Sequence, residues 1–380
     1  MIELEYVGVG IAASIVWLAG MLYARWNKLN KGNFNQKPLA IHTFDDKESP
    51  YHPSVLFFEE EWQGHRYYMA ETPFSDTYPI RGKNYRDQFE CPSIHVSDDG
   101  LHWSEICENP IDRLERENLL SLDYFSDPHL VYKADAIECW YRISRRHGDY
   151  ENHNDVSIIR KVTVDGKQWS ERETLAILTD EHPLGNMVIS PAVLYRENTY
   201  QMWYVDSIDG QRHIAYSTSP DGFCWSKKTN CLLTGRDINP WHMDVSFIDS
   251  VYRLIIYDRI DLSLWSSIDG KTFCYVKSLL LHSDVIGSFY YRELYRACLI
   301  KADNLYRLYF SANDMRTTSI GVMEGTTPEE LKLISVDDSQ NCHFHGFVFL
   351  YTYMKYKSLL FLKKRLCIMV KQTGRIKAGK

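Results

Sequence analysis

The stretch Asp99-Gly100-Leu101-His102-Trp103 is the first of four copies of one short pattern. The other copies begin at Asp165, Asp221 and Asp269, which places them 66, 56 and 48 residues apart. Each has Asp-Gly followed by an aromatic residue three positions after the Gly. An Asp-Gly pair favours a tight turn between antiparallel strands, because Gly readily adopts positive φ. Four copies at near-regular spacing indicate an internal repeat.

Strand-like segments precede each turn. A short apolar segment with Pro or Asp near its start comes first, at 52–55, 127–130, 190–193 and 243–245. A segment rich in aromatic residues comes second, at 67–69, 140–141, 203–204 and around 257. A third leads into the turn, as at 94–97 and 214–217, and a fourth is expected to begin at the aromatic residue after it. Each copy therefore predicts a four-stranded antiparallel sheet.

A fifth, weaker copy follows the four. Its strands are expected at 294–299, 305–309 and 319–322, and 325–328 replaces the Asp-Gly turn. Dividing residues 51–335 by five gives about 57 residues per unit, near the length of propeller repeats. We therefore predict an all-β fold, a five-bladed β-propeller at 46–340. A β-sandwich would not explain the repeated turn.

The amino-acid sequence of the first two units resembles a known group of propellers. The stretches HPSVLFFEEEWQGHRYYMAETPF (52–74), ECPSIHVSDDGLHWSE (90–105) and SDPHLVYKADAIECWYR (126–142) carry the likeness. The group includes five-bladed glycosidases such as arabinanases, xylosidases, fructosidases and related mannoside phosphorylases. It also includes the propeller platform of phage receptor-binding proteins. The sequence resembles this platform more closely than it resembles the glycosidases. The likeness covers most of residues 50–335.

The resemblance implies a site in the central funnel, built at the starts of the innermost strands. Its glycosidase members use three carboxylates: a base or nucleophile in blade one, a pKa-tuning Asp in blade two and an acid Glu in blade three. Here His52 stands in blade one, Asp127 matches in blade two, and Ser190 stands in blade three. Two of the three carboxylates are therefore missing. Because one carboxyl group must be protonated and the other ionised, ordinary glycoside hydrolysis is doubtful.

A rearranged site is the alternative. Asp127, Asp244 and Glu293 each stand at the start of an expected innermost strand and are the catalytic candidates. The substrate-binding candidates are His52, Glu71, Glu90, Arg292 and Arg296. Arg pairs suit phosphate or carboxylate groups. Each of these residues also has a possible structural role. The carboxylates at the strand starts would cap turn amides, and His52 would be a packed, hydrogen-bonded residue. Arg292 and Arg296 would form salt bridges to a neighbouring blade.

Metal and cofactor chemistry have little support. His129, His147, His153 and His242 lack the spacing of a dedicated metal motif, and no Gly-rich phosphate loop or serine-hydrolase elbow is present. The nine Cys are scattered, without a C-x-x-C pair, and indicate neither a disulfide framework nor a zinc site. We expect no metal and no cofactor.

The start of the chain predicts a membrane anchor. Residues 6–24 contain no charge and are just long enough to cross a hydrocarbon core of about 30 Å as a helix. Glu3 and Glu5 precede them, and Arg25, Lys28 and Lys31 follow. A signal peptide would begin with basic residues, and a buried or amphipathic helix fits the flanks less well. We predict a transmembrane segment at 1–26, a polar linker at 27–45 and, by the positive-inside rule, a cytoplasmic propeller.

The charge distribution separates the body of the chain from its end. Residues 354–380 hold nine Lys or Arg and no Asp or Glu; the whole chain carries −7, so the remainder carries −16. This balance excludes a general nucleic-acid binder. Residues 341–380 are expected to form a strand that closes the ring and a basic tail. An amphipathic helix on an anionic membrane is the alternative for the later part.

Three functions fit this sequence. The first is a membrane-anchored module that recognises a cell-surface or lipid-linked polysaccharide, with the membrane contacted through residues 6–24 and the basic tail. The second is a glycoside hydrolase or phosphorylase with a rearranged carboxylate site. The third is a membrane-bound scaffold for other proteins. The expected partner in the first two is a glycan, and the sequence leaves open whether the chain is an enzyme.

The predicted topology has a direct test. A reporter fused after Lys380 should give the cytoplasmic signal, because the positive flank of residues 6–24 favours that side. The same fusion without residues 1–26 should no longer be recovered in the membrane fraction. A signal from the far side of the membrane would contradict the predicted orientation.

Overall fold

The computed structural model describes residues 37–46, 48–74, 90–113, 124–146, 154–208, 210–259, 261–279, 288–290, 292–314 and 317–335. These residues form strands and loops and lie in one compact unit. Among them, no helix is long and apolar enough to cross a membrane. The predicted span at 6–24 and the predicted tail at 341–380 lie outside the described residues.

The strands form five sheets in chain order. Blade one contains β1 (Pro50–Trp62), β2 (His65–Pro73), β3 (Ser93–Ser97) and β4 (Ser104–Glu105). Blade two contains β5 (Tyr124–Lys133), β6 (Ala136–Arg146), β7 (Asn154–Thr163) and β8 (Glu173–Ile177). Blade three contains β9 (Ile189–Arg196), β10 (Thr199–Ile208), β11 (Gln211–Ser219) and β12 (Thr229–Asn230).

Blade four has an additional strand. It contains β14 (His242–Ile248), β15 (Val251–Tyr257), β16 (Leu262–Ser267) and β17 (Thr272–Ser278), with β13 (Leu232–Thr234) added parallel to β17. Blade five contains β18 (Glu293–Ala302), β19 (Leu305–Asn313), β20 (Thr318–Gly325) and β21 (Lys332–Ile334). The weak fifth repeat is therefore a complete four-stranded blade, and the prediction of five blades is confirmed.

The first strands of successive blades lie side by side and close the ring. β1 neighbours β5, β5 neighbours β9, β9 neighbours β14, β14 neighbours β18, and β18 neighbours β1. Residues 37–41 also run along blade five, where the Leu39 amide donates to the Ile320 carbonyl at 2.8 Å. The hydrophobic core is divided accordingly into five clusters, one between each pair of neighbouring blades.

The four Asp-Gly turns share one hydrogen-bond pattern. In the turn at Asp221, the carboxylate accepts from the amides of Phe223 and Cys224, both at 2.8 Å, and from the Ser219 hydroxyl at 3.0 Å. The Gly222 amide donates to the same hydroxyl at 2.9 Å. The turns at Asp99, Asp165 and Asp269 repeat these contacts with Ser97, Thr163 and Ser267. A Ser or Thr two residues before the Asp therefore belongs to the motif.

These loops are wider than the expected two-residue hairpins. The fourth strand begins one residue after Trp103 and four residues after Trp169 and Trp225; only in blade four does it contain the aromatic residue. Compact two-residue turns instead join the first and second strands, as at Ala134-Asp135 and Glu197-Asn198, where both residues have positive φ. The Asp carboxylate satisfies backbone amides across a longer connection, so the tight-turn interpretation of Asp-Gly was wrong.

The glycine of each Asp-Gly turn contacts an aromatic residue of the preceding blade. A Cβ on Gly270 would lie 3.0 Å from the Trp203 ring, whose Nε1 donates to the Gly270 carbonyl at 2.6 Å. A Cβ on Gly222 would lie 3.1 Å from Trp140. The carbonyl of Gly100 in blade one accepts from the Tyr309 hydroxyl of blade five at 2.9 Å. The turn motif therefore links blades around the ring, including across its closure.

This role predicts the effect of two matched substitutions. Gly270→Ala should lower the free energy of unfolding by about 1 kcal/mol for the positive φ and by a further 1–3 kcal/mol for the crowded contact with Trp203. Gly64→Ala has a φ of 88° and no heavy atom within 4 Å of the added methyl group, so only the first contribution applies. Urea unfolding measures both variants. Equal losses would show that the contact between blades contributes little.

Candidate functional site

The first strands of three blades have the same backbone irregularity near their starts. His52, Asp127 and Ser190 have φ of 52°, 55° and 50°, each precedes a Pro, and the strand register shifts there. Left-handed backbone is costly for such residues and is retained where the surroundings impose it, often at functional sites. Blade five has a register shift between Leu294 and Ala297, whereas the pairing of β14 is continuous.

Asp127 lies at the centre of the resulting cluster. It is fully buried, and its Oδ2 accepts from Arg142 Nε at 2.7 Å and from the Ser190 amide at 3.2 Å. Its Oδ1 lies 3.5 Å from His242 Nδ1 and 3.8 Å from Arg296 Nη1. The Asp therefore connects blades two, three, four and five at the axis of the ring.

The charges around Asp127 keep it ionised. Burial alone would raise the pKa of this carboxyl group, but the adjacent Arg142 guanidinium, helped by the neighbouring His242 ring, holds it well below its usual range. The same pair raises the pKa of Arg142 despite burial. The cluster therefore contains a permanent negative charge and a permanent positive charge in contact.

His242 is the titratable group placed against that carboxylate. Its Nδ1 contacts both Asp127 and the Ser190 hydroxyl, and its ring packs against Tyr295 with centroids 4.0 Å apart. Burial lowers the pKa of His242, and Asp127 only partly opposes this effect. A neutral ring that is protonated at Nδ1, the nitrogen that lies 3.5 Å from Asp127 Oδ1 and contacts the Ser190 hydroxyl, carries its lone pair on Nε2.

His52 is a second neutral histidine beside the first. Its ring stacks on that of His242 at 5.9 Å, and burial lowers its pKa to about 3. Nδ1 lies 2.8 Å from Thr72 Oγ1 and 3.8 Å from Glu90 Oε2. Nε2 is buried and has no hydrogen-bond partner among the described residues, so it can serve a water molecule or a substrate atom.

Asp244 lies one layer deeper along the axis. It follows His242 by two residues on the same face of β14, and its Oδ1 lies 3.4 Å from His129 Nδ1. Arg296 connects the two layers, since Nη1 faces Asp127 while Nη2 lies 3.5 Å from His129 Nδ1. Nη2 also donates to the Pro191 carbonyl at 3.1 Å. Asp127 and Asp244 therefore lie at different depths.

Glu293 lies at the rim rather than beside Asp127. Its Oε1 accepts from the Tyr257 hydroxyl at 3.3 Å, and burial raises its pKa against the opposing charge of Arg292. Tyr295 stands between the rim and the inner cluster, because its hydroxyl accepts from Trp241 Nε1 at 3.1 Å while its ring contacts His242. The exposed Arg292 side chain belongs to the rim as well.

The remaining candidates have separate positions. Glu71 is fully buried, and its Oε1 lies 3.2 Å from His95 Nε2 inside blade one, an arrangement typical of a structural pair. Glu90 Oε2 lies 3.8 Å from His52 Nδ1, and the charge of Glu90 also raises the pKa of Arg142. The structure therefore brings together Asp127, His52 and Arg296, places Asp244 one layer below them, and separates Glu293, Arg292 and Glu71 from this group.

Sequence reasoning missed several members of the cluster. Ser190 was noted only as a missing carboxylate, although Ser190-Pro191 repeats the pattern of His52-Pro53 and Asp127-Pro128. His242 was considered only as a metal ligand. Arg142 is on the second strand of its blade, where no pattern in the sequence distinguishes it. Among the described residues, no group of three or more His, Cys, Asp or Glu is arranged to hold a metal ion; His147 and His153 lie outside them.

Comparisons with known proteins give relatives for this fold. No family model matches the chain. A curated A type blood N-acetyl-α-D-galactosamine deacetylase of Flavonifractor plautii is 24% identical over 345 residues, covering 76% of this chain and 43% of the relative. The chain therefore spans less than half of the length of that relative.

Solved structures show the same architecture. An N-acetylgalactosamine deacetylase from F. plautii, in complex with blood group B trisaccharide, has a TM-score of 0.61 at 20% identity, covering 77% of this chain and 94% of that chain. A family 43 β-xylosidase/α-arabinofuranosidase from a compost metagenome has 0.55 at 10% identity, covering 82% and 99%. A family 117 glycoside hydrolase from Zobellia galactanivorans has 0.53 at 13% identity, covering 84% and 99%.

These likenesses show the fold: the chain is a five-bladed propeller of the type found in glycoside hydrolases. They support the glycosidase part of the expected resemblance. They do not support the closer likeness to phage receptor-binding platforms. The quoted stretches follow the first, second and third strands of the blades, which the whole architecture shares, so they do not distinguish its subgroups.

The neutral state of His52 predicts a pH effect on stability. Because burial depresses its folded pKa to about 3 from an ordinary value of 6.5, protons bind the unfolded chain first as the pH falls below 6.5. This one group should therefore cost stability by about 1.4 kcal/mol per pH unit below roughly pH 6.

Urea unfolding at pH 7, 6 and 5 can isolate the contribution of His52. His52→Gln should reduce the loss between pH 6 and pH 5 by about 1.4 kcal/mol relative to the unsubstituted chain. Parallel pH profiles for the two proteins would contradict a neutral, buried His52.

Proposed function

We propose that the propeller is a glycan-active hydrolase in which His242, oriented by Asp127, is the general base. We further propose that it removes an acyl group from a sugar and leaves the glycosidic bond intact. The observation that carries this proposal is the contact of the buried, ionised Asp127 with Nδ1 of a neutral His242. Such a pair directs the lone pair of Nε2 toward a substrate or a water molecule.

The carboxylates present in the funnel favour removal of an acyl group over glycoside hydrolysis. His52 and Ser190 occupy the positions at which the glycosidase propellers are expected to have two of their three carboxylates. The remaining Asp127 is bound by Arg142, so it is a poor nucleophile and serves better to orient a neighbour. Asp244 lies in a deeper layer, paired with His129.

The proposed reaction is hydrolysis of an amide or ester. His242 Nε2 accepts a proton from water, whose oxygen bonds to the acyl carbon and pushes the carbonyl electrons onto oxygen. As that oxygen re-forms its double bond, the bond to the sugar nitrogen or oxygen breaks, and the His242 imidazolium returns the proton to the leaving atom. The products are a free acid and the deacylated sugar. Arg296 supplies positive charge beside the cluster.

Ser190 is not the nucleophile in this scheme. Its hydroxyl contacts Nδ1 of His242, the nitrogen that also faces Asp127, rather than the nitrogen with the free lone pair. Its backbone amide simultaneously donates to Asp127. Ser190 therefore fixes the orientation of the Asp–His pair, in contrast to the serine of a nucleophilic triad.

Similarity to the F. plautii deacetylase supports an acyl substrate, since the name of that protein states removal of an acetyl group from N-acetylgalactosamine. Glycoside hydrolysis is the second candidate. It is favoured by Glu293, whose pKa is raised by burial as a general acid requires.

Attachment to a membrane through residues 6–24, with the propeller on the cytoplasmic side, is proposed together with this activity. It rests on the uncharged stretch and on the positive residues that follow it. In that position the propeller would meet lipid-linked or nucleotide-linked sugars.

The proposed activity predicts a specific product. The purified full-length chain should release acetate from N-acetylated oligosaccharides while the reducing-end count stays constant. His242→Gln should reduce this rate at least 100-fold, and Asp127→Asn should reduce it by about 10²–10⁴-fold, since each removes general base catalysis.

His95→Gln is the matched control. His95 is an equally buried histidine with a carboxylate partner, but it lies inside blade one. Its substitution should change the rate less than threefold. Glycoside hydrolysis would instead increase the number of reducing ends. It would be established if this increase disappeared in the Glu293→Gln variant and persisted in the His242→Gln variant. Binding without any release would leave the propeller as a recognition module.

A further inference from the structure

Two arginines at the rim of the funnel share one tryptophan. The guanidinium Cζ of Arg212 lies 4.0 Å from the centre of the Trp241 ring, and that of Arg259 lies 3.6 Å from it. Arg212 is the second residue of β11 in blade three, whereas Arg259 is in the connection between the second and third strands of blade four. The contact therefore joins two neighbouring blades. Arg212, Arg259 and Trp241 together are called the arginine clamp.

The two positive charges of the clamp have no ion-pair partner among the described residues. Within the described part of the chain, no carboxylate lies within ion-pairing distance of Arg212 or Arg259. Glu293 is near enough for the charge of Arg259 to lower its pKa, although burial raises that pKa more, but no Glu293 oxygen lies within ion-pairing distance of Arg259. Burial and the charge of Arg259 also lower the pKa of Arg212, as expected for two close like charges.

A neighbouring arginine shows what a satisfied side chain looks like at this rim. Arg236 lies 3.1 Å from Asp258 and 3.6 Å from Asp261, so those two carboxylates are already engaged by a different cation. Arg236 also lies near the Tyr275 ring. Stacking on an aromatic ring is therefore compatible with ion pairing here. At the clamp no carboxylate of the described ranges forms such a pair, so the guanidinium donors of Arg212 and Arg259 can engage an incoming anion.

The clamp is connected directly to the proposed site. Trp241 precedes His242 in the chain, and its Nε1 donates to the Tyr295 hydroxyl at 3.1 Å. The Tyr295 ring in turn packs on His242. Arg259 adopts a left-handed φ of 73°, a costly conformation that holds its side chain against the ring. A group bound at the clamp would therefore lie beside the sugar that His242 acts on.

We propose that the arginine clamp binds an anionic group of the glycan substrate, a carboxylate or a phosphate on a sugar next to the one held in the funnel. Planar guanidinium groups hold such anions with paired hydrogen bonds. Stacking on Trp241 restrains their planes before the ligand arrives, which reduces the entropy lost on binding. This inference rests on the proposed function for the position of the substrate, but the binding it predicts is measurable without turnover.

Two pairs of probes isolate the anionic group. Hyaluronan tetrasaccharide and chitotetraose both contain N-acetylglucosamine, but only the first has carboxylates. N-acetylglucosamine 6-phosphate and N-acetylglucosamine form the corresponding pair for phosphate. In calorimetric titrations of the full chain in about 50 mM salt, at least one anionic probe should bind about tenfold or more tightly than its neutral counterpart, and added salt should reduce this preference.

Variants assign the preference to the clamp. Arg212→Met and Arg259→Met should each reduce the preference for the anionic probe at least fivefold and leave the affinity for the neutral probe unchanged. Arg236→Met is the matched control, because that arginine already has carboxylate partners, and it should retain the preference. Thermal unfolding of each variant checks that the fold survives. A merely structural clamp would lower stability and leave the preference unchanged.

The outcomes separate this inference from the proposed function. His242→Gln should abolish acetate release and keep the preference for the anionic probe. Equal affinity for the charged and neutral probes would overturn the inference, and so would a preference that survives in both clamp variants. Acetate release would still support the proposed activity in either case. A clamp-dependent preference in a chain that releases no acetate would support the anion site and contradict the hydrolase.

Discussion

The contact between each Asp-Gly turn and the aromatic strand of the preceding blade is the constraint on which this propeller depends. The Asp carboxylate fixes the turn through two backbone amides and one hydroxyl, so the Gly is presented in a single conformation. The absence of a side chain lets Trp203 and Trp140 approach the backbone at Gly270 and Gly222. Closure at Gly100 and Tyr309 completes a ring whose first strands must converge on one axis.

Convergence forces polar groups together in a place where water is scarce. Asp127, Arg142 and Arg296 are compatible with burial because opposite charges lie in contact, and removal of one would leave the others costly. His52 and His242 respond to the same burial by staying neutral. The separation into an inner neutral-histidine cluster and an outer arginine clamp follows from this difference in burial. In our proposal the inner layer carries out the chemistry and the rim recognises charge.

Much of the fold could be predicted because each blade repeats its own local signals. The spacing of the Asp-Gly turns and the aromatic second strands predicted the number of blades, and even the fifth copy was recognised without its turn. The shape of the turn was not predicted correctly, because the contribution of Ser97 and its equivalents depends on side-chain hydrogen bonds rather than on a dipeptide preference. Asp127 and His52 were identified through the resemblance to the glycosidase propellers, which implies a site at the starts of the first strands. Arg142, Ser190 and the Trp241 clamp were not, because their roles arise only when different blades meet.

The protonation state of the His242 ring determines whether this residue can act as a general base. Nitrogen-15 spectra of histidine-labelled full-length chain at pH 7, with the His242 signals assigned by their loss in His242→Gln, report which ring nitrogen carries the proton. We predict a neutral ring protonated at Nδ1, facing Asp127, with the lone pair on Nε2. A charged ring, or a neutral ring protonated at Nε2, would show that His242 is not poised as a base and would contradict the proposed chemistry.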